Sequence, residues 1–147
     1  RIFPKLLSFF DFYHPWQITN GLIDKSLYPN KANGIVISQP NLDLKVDNKS
    51  FDQYIGYNFA LIVFDQNEKL LNDIKALESS KIFEDNIYLI NKDSPFNEDS
   101  NFIKWKRDNK ISAVIIRPDR HVYGCCDNES MITKVDELNK KLISELT

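Results

Sequence analysis

The stretch Ile111–Gly124, ISAVIIRPDRHVYG, limits what this chain can fold into more than any other. Ile111 and the run Ala113-Val114-Ile115-Ile116 are apolar at every step of a strand's alternation, so both faces must be covered. Arg117-Pro118-Asp119-Arg120 then reverses the chain. Pro118 brings the φ that the second position of a tight turn requires, and the Asp119 carboxylate can bond the neighbouring backbone. His121-Val122-Tyr123 alternates as a returning strand, with His121 expected at the surface and Gly124 as its end. The hairpin as a whole is expected over Ile111–Cys126, inside a core with helices on either side.

The upstream pattern supplies those partners. Phe59-Ala60-Leu61-Ile62-Val63-Phe64 is too short for a buried helix and is bounded by Gly56 and Asp65, which predicts a central strand. Asp65 followed by Glu68 has capping-box spacing, and Leu70, Leu71, Ile74 and Leu77 fall on one helical face. Ile82–Asn91 is predicted as a second strand centred on Ile87-Tyr88-Leu89-Ile90. Lys92–Asn97 reads as a loop, and Glu98–Asp108 as a helix turning Phe102, Ile103 and Trp105 inward. Met131, Val135, Leu138 and Leu142 mark a final helix. Glu129, Asp136 and Glu137 lie early in it and Lys140-Lys141 late, as its dipole prefers.

The N-terminal third is less regular. Residues 1–23 cluster Phe3, Leu6, Leu7, Phe9, Phe10, Phe12, Tyr13 and Trp16, with a short helix expected over Lys5–Phe12 and Pro15 closing it. Residues 24–41 read as an extended connection, Asn41–Val46 as a short edge strand, and Asp47-Asn48-Lys49 as a turn. We expect residues 1–33 to be the tail of a preceding domain or an arm, and residues 34–147 to be one domain. The first residue is Arg1 rather than Met, which suggests a piece of a longer polypeptide. Pro4, Lys5, Asp11, His14 and Pro15 interrupt the opening apolar run, well short of the roughly 20 residues a membrane span needs. Nor does it have the zones of a signal peptide. With 19 basic against 21 acidic residues the net charge is −2, and no basic face points to nucleic acid.

The order strand, helix, strand, helix, strand, strand, helix predicts an α/β fold. A right-handed strand–helix–strand crossover gives a parallel pair, and the hairpin adds an antiparallel one. The result is a mixed four-stranded sheet flanked by helices, the thioredoxin-like core, preceded by an extended or helical arm. Thioredoxin chemistry needs a low-pKa cysteine at the start of the first core helix. That position reads Phe64–Leu71, FDQNEKLL, without cysteine, and Lys106–Ser112 lacks the proline that faces the active thiols. Cys125 and Cys126, the only cysteines, are adjacent, a poor geometry for a disulfide or a zinc site, and are expected as reduced thiols. His14 and His121 stand far apart, and no phosphate loop, metal-ligand cluster or nucleophile elbow is present. Arg117 and Asp119 are expected to pair across the turn in a structural role.

Three ordered segments resemble the C-terminal part of FAD-dependent aromatic hydroxylases such as phenol 2-monooxygenase and hydroxyphenylpropionate hydroxylase. Ala113–Val122, with Arg117, Pro118 and Asp119, is similar to that family's AVLVRPDxxV signature. Gly34–Pro40, with Gly34, Gln39 and Pro40, is similar to a G-x-x-x-P-Q-P segment, although Ser38 stands where proline is usual. Phe51–Ile62, with Asp52 and Gly56, is similar to an LDDxxGxxFALI segment, and Trp105 matches the tryptophan before the signature strand. Gly124-Cys125-Cys126 departs from the tryptophan-arginine pair that relatives often carry.

The resemblance implies a thioredoxin-like domain without redox cysteines, and structural rather than catalytic roles for those motif residues. It implies no cofactor in this segment. The parent would bind FAD, take a hydride from NAD(P)H and hydroxylate a phenolic ring with O₂ through upstream FAD and substrate domains. This segment would be an accessory, stabilising domain that could contribute to a homodimer contact in a cytoplasmic enzyme. The alternative is a free-standing, redox-inactive thioredoxin-like binding module.

Overall fold

A computed structural model describes residues 21–37, 49–94, 96 and 100–147. The expected helix Lys5–Phe12, the expected strand Asn41–Val46, and Ser38, Gln39 and Pro40 lie outside the described residues. The element order is α1 (Phe51–Ile55), β1 (Ala60–Phe64), α2 (Glu68–Lys75), a 3₁₀ helix (Glu78–Phe83), β2 (Ile87–Ile90), α3 (Ser100–Asp108), β3 (Ala113–Ile116), β4 (Val122–Cys126) and α4 (Met131–Leu146).

The four strands form one mixed sheet in the order β2-β1-β3-β4. β1 and β2 are parallel, as a helical crossover between them requires, with Leu61 opposite Ile87. β3 runs antiparallel to both β1 and β4, with Ile62 opposite Val114 and Val114 opposite Cys125. Every residue of β1, β3 and β4 is buried. The mixed sheet flanked by helices is the architecture expected from the pattern.

Strand alternation divides the core in two. Ala60, Ile62, Phe64, Val114, Ile116 and Val122 face a layer with Phe51 and Ile55 of α1 and Phe102 of α3. Leu61, Val63, Ala113, Ile115 and Tyr123 face Ile74 of α2, Phe83, and Met131, Val135, Leu138 and Leu142 of α4. The first layer is aromatic: Phe51 meets Phe96 edge-on at 5.1 Å, and Trp105 stacks on Phe102 at 6.0 Å. Each large side chain sealed in this way contributes about 1.5–3 kcal/mol of transfer free energy.

Several local expectations are corrected. The cap of α2 is Asn67, whose side chain accepts from the Lys69 amide, while Asp65 instead accepts from the Asn67 amide. Two competent capping residues lay within one turn, and the later one starts the helix. Ile82 and Phe83 belong to the 3₁₀ helix rather than to the second strand, because Phe83 fills the space beneath α4. Gly124 does not end its strand. Pairing shifts between Ile115, opposite Gly124, and Ile116, opposite Val122, so Tyr123 is the extra residue of a β-bulge. A Cβ added at Gly124 would lie 3.1 Å from Leu138 Cδ2 and from Asp24 Cβ, so a larger residue there would crowd both.

α4 buries the predicted residues Met131, Val135, Leu138 and Leu142, but no acidic residue lies in its first turn and no basic residue in its last. Its central charges are engaged laterally instead. Asp136 takes bonds from Ser79 and Lys140, and Lys141 reaches Asp24.

Candidate functional site

Arg117, Pro118 and Asp119 form the turn of the β3–β4 hairpin, to which Arg120 brings Asp52 and Gly56, while Trp105 lies apart on α3. The Arg120 amide bonds the Arg117 carbonyl at 2.9 Å, which places Pro118 and Asp119 at the two central positions as expected. Arg117 Nη2 lies 2.6 Å from Asp119 Oδ2, and Arg117 Nη1 donates to the Leu22 carbonyl at 3.2 Å. Asp119 Oδ1 accepts from the His121 amide at 3.2 Å and has the His121 ring nitrogen Nδ1 at 3.3 Å. His121 is not a surface residue. Its side chain is only 13% exposed, and its backbone pairs with Val36 in an isolated antiparallel bridge. Burial would raise the Asp119 pKa, but its contacts with His121 and the Arg117 charge outweigh that and hold it at about 2.

Arg120, which the sequence did not single out, ties two motif segments together. Its backbone is left-handed, with φ 69°. Its guanidinium donates to Asp52 Oδ1 at 2.7 Å, to the Asp52 carbonyl at 3.1 Å and to the Gly56 carbonyl at 2.7 Å. It therefore adds a second donor to the Asp52 carbonyl and supplies one to the Gly56 carbonyl at the C-terminal end of α1. Gly56, at φ 68°, closes that end with its amide on the Asp52 carbonyl. The N-terminal end is closed by a capping box between Ser50 and Gln53. Gly34, at φ 83°, donates to the Val122 carbonyl at 2.8 Å. The Trp105 carbonyl accepts from the backbone and side chain of Asn109, which closes α3. Gly34, Asp52, Gly56, Trp105, Arg117, Pro118 and Asp119 are thus placed in turns, caps and ties.

A second polar cluster was also not singled out. The Asp24 side chain has no solvent exposure and accepts from the amides of Ser26, Leu27 and Tyr28 and from Lys141 Nζ at 2.7 Å. Its burial, which would raise its pKa, is overcome by Lys141 and the three amides, so the carboxyl sits below the ordinary value. The short-range part, an Asp followed by a Ser two residues on, was a readable turn signal. Lys141, 117 residues away, was not.

Cys125 and Cys126 are free and buried, and strand alternation sends them into opposite layers of the core. Burial pushes both thiols up to about 12, so neither is a thiolate at neutral pH. Cys126 borders a 280 Å³ cleft with Tyr28, Pro29, Asn109 and Lys134. Lys134 is already engaged by Asp127 there. Among the described residues no group of three or more His, Cys, Asp or Glu is placed to hold a metal ion. Among them, too, no helix is long and apolar enough to cross a membrane.

The family model of the HcaD C-terminal domain matches residues 34–141. The chain belongs to this family. The HcaD C-terminal domain is the C-terminal domain of an FAD-dependent oxidoreductase family, and the match spans all three motif segments and Trp105. The resemblance to the C-terminal part of flavin aromatic hydroxylases is thereby borne out.

No curated protein matches the chain. Among solved structures, it is similar to the substrate-free form of the rebeccamycin biosynthetic enzyme RebC. That match has 13% identity and a TM-score of 0.48, covering 92% of this chain and 25% of that one. RebC with reduced flavin matches at 14% identity and a TM-score of 0.47, covering 88% and 24%. The chain thus spans about a quarter of the length of these structures.

Proposed function

We propose that this HcaD C-terminal domain is the non-catalytic, stabilising domain of an FAD-dependent aromatic-ring monooxygenase. The parent would hydroxylate a phenolic substrate with NAD(P)H and O₂ in the cytoplasm, and its FAD and substrate would be bound by upstream domains. The family match over residues 34–141 carries this reading. It is supported by what the motif residues do: they cap helices, close turns and bridge segments, and the only thiols are buried and protonated. Flavin chemistry belongs to the cofactor, while protein groups position it, and this segment supplies a rigid body for that purpose. The strand order β2-β1-β3-β4, with one parallel pair and one hairpin, supports a thioredoxin-like description of the sheet. A homodimer built partly on this domain is included in the proposal.

The test uses the full reading frame. Its purified product is expected to show a flavin absorption spectrum and NAD(P)H oxidation stimulated by simple phenols, and light scattering reports the dimer. A colourless product without that turnover would overturn the reading and favour a free-standing redox-inactive binding module.

A further inference from the structure

The family match begins at Gly34, yet the described residues just before it are bonded to several parts of the domain. The Asp24 amide donates to the Tyr123 carbonyl at 2.7 Å, and the Gly34 amide to the Val122 carbonyl at 2.8 Å. The Val122 amide in turn donates to the Ile35 carbonyl, and the Ile37 amide to the Arg120 carbonyl, both at 2.8 Å. The start of β4's edge away from β3, at Val122 and Tyr123, which would otherwise present unpaired backbone groups, is therefore taken up by Asp24, Gly34 and Ile35.

Side chains fasten the same segment to three further places. Asp24 holds Lys141 of α4, the Tyr28 hydroxyl donates to Glu137 of α4 at 2.7 Å, and Asn30 Nδ2 donates to the Asn109 carbonyl at 2.8 Å. Leu22 accepts from Arg117 at the hairpin turn. Within the segment, Asn33 Nδ2 donates to the Asp24 and Tyr28 carbonyls. Ile23, Asp24, Ala32 and Asn33 are all buried. Gly124 leaves the space that Asp24 occupies. A carboxylate sealed against a strand and matched by a lysine and three amides is a built seat, since an unmatched buried charge there would be strongly destabilising.

We propose that residues 22–33 belong to the folding unit, as an intramolecular strap that meets the outer edge of β4 at Tyr123 and locks onto α4 through Asp24 and Lys141. The occupant of that edge is the chain's own segment. The folding unit then extends upstream of Gly34 at least as far as Leu22. This inference does not depend on the flavin reading, and either can fail alone.

Native-state hydrogen exchange on the full 147-residue chain tests it. The amides of Asp24, Tyr28, Gly34, Ile37 and Val122 are expected to be protected as one group with those of β1 and β3. Strap amides that exchange like an open loop while β1 and β3 stay protected would overturn it. Asp24→Asn is expected to speed exchange at Ser26, Leu27, Tyr28 and Val122 together, by about tenfold or more. An unchanged Val122 amide would overturn the coupling. Tyr28→Phe, which removes only the surface bond to Glu137, should speed strap exchange more mildly and leave β1 and β3 unmoved. Should Asp24→Asn not fold, the wild-type pattern and Tyr28→Phe decide the matter.

Discussion

Arg120 Nε lies 2.7 Å from Asp52 Oδ1, joining the hairpin turn to a helix 68 residues earlier in the chain. The same guanidinium also serves the Asp52 and Gly56 carbonyls, so its loss would remove a donor from the Gly56 carbonyl and leave the Asp52 carbonyl with the Gly56 amide alone. Arg120→Ala is expected to cost about 1–3 kcal/mol. Asp52→Asn should cost less, because both backbone bonds survive it. Urea denaturation of the two single variants and the double variant checks this. An Arg120→Ala protein as stable as wild type would show that the tie contributes nothing.

Asp119 gives the hairpin turn a pH dependence whose sign follows from its lowered pKa. The folded carboxyl titrates at about 2, against an ordinary 3.8. The folded state therefore holds the proton less readily than the unfolded chain. The stabilisation is fully present above the unfolded value and is lost as pH falls from about 4 to about 2. The side chain is 40% exposed, so solvent screens part of the effect. The urea midpoints of wild type and Asp119→Asn should differ at pH 6 and converge toward pH 2. A gap that widens on acidification would contradict the assignment.

Gly124→Ala should be destabilising although the position is not left-handed. The added Cβ would press on Leu138 Cδ2 and Asp24 Cβ at 3.1 Å, and overpacking of this kind costs about 1–3 kcal/mol. Pairing the change with Leu138→Ala, which clears one of the two contacts, should give a cost smaller than the sum of the two single changes in thermal unfolding. Strict additivity would mean that the two sites are not in contact.

Ile115→Asp places an unpaired carboxylate in β3, where the residue is 1% exposed in the core layer shared with α2 and α4. The expected loss is on the order of 5 kcal/mol, the size of a small domain's whole stability. Circular dichroism should show little native protein at 25 °C. A melt indistinguishable from wild type would displace this strand from the core.

The sheet was legible because apolar runs without alternation, such as Ala60–Phe64 and Ala113–Ile116, have few stable placements other than a two-sided core. The Arg117-Pro118-Asp119 turn was legible because its chemistry is local. The bulge at Tyr123 was not, since it answers to Leu138 and Asp24 packing from distant parts of the chain. The same holds for the ties of Arg120 to Asp52 and Lys141 to Asp24, whose partners lie 68 and 117 residues apart. Charge and spacing say that such residues need partners but not which ones. The placement of His121 was misjudged for a similar reason, because its bridge partner, Val36, lies in a segment read as a connection.

The placement of β1 between β2 and β3 has a consequence for the order of events during synthesis. β1 is made early, yet one of its two neighbours, β3, follows some fifty residues later, and the strap must wait still longer for β4 and Lys141. The β3–β4 hairpin, by contrast, closes over a short loop. Loop-closure entropy favours such local pairs first. The strap, made before the sheet, is thus among the last segments to find its partners, and an incomplete chain exposes the apolar flank of β1 until β3 and β4 are available.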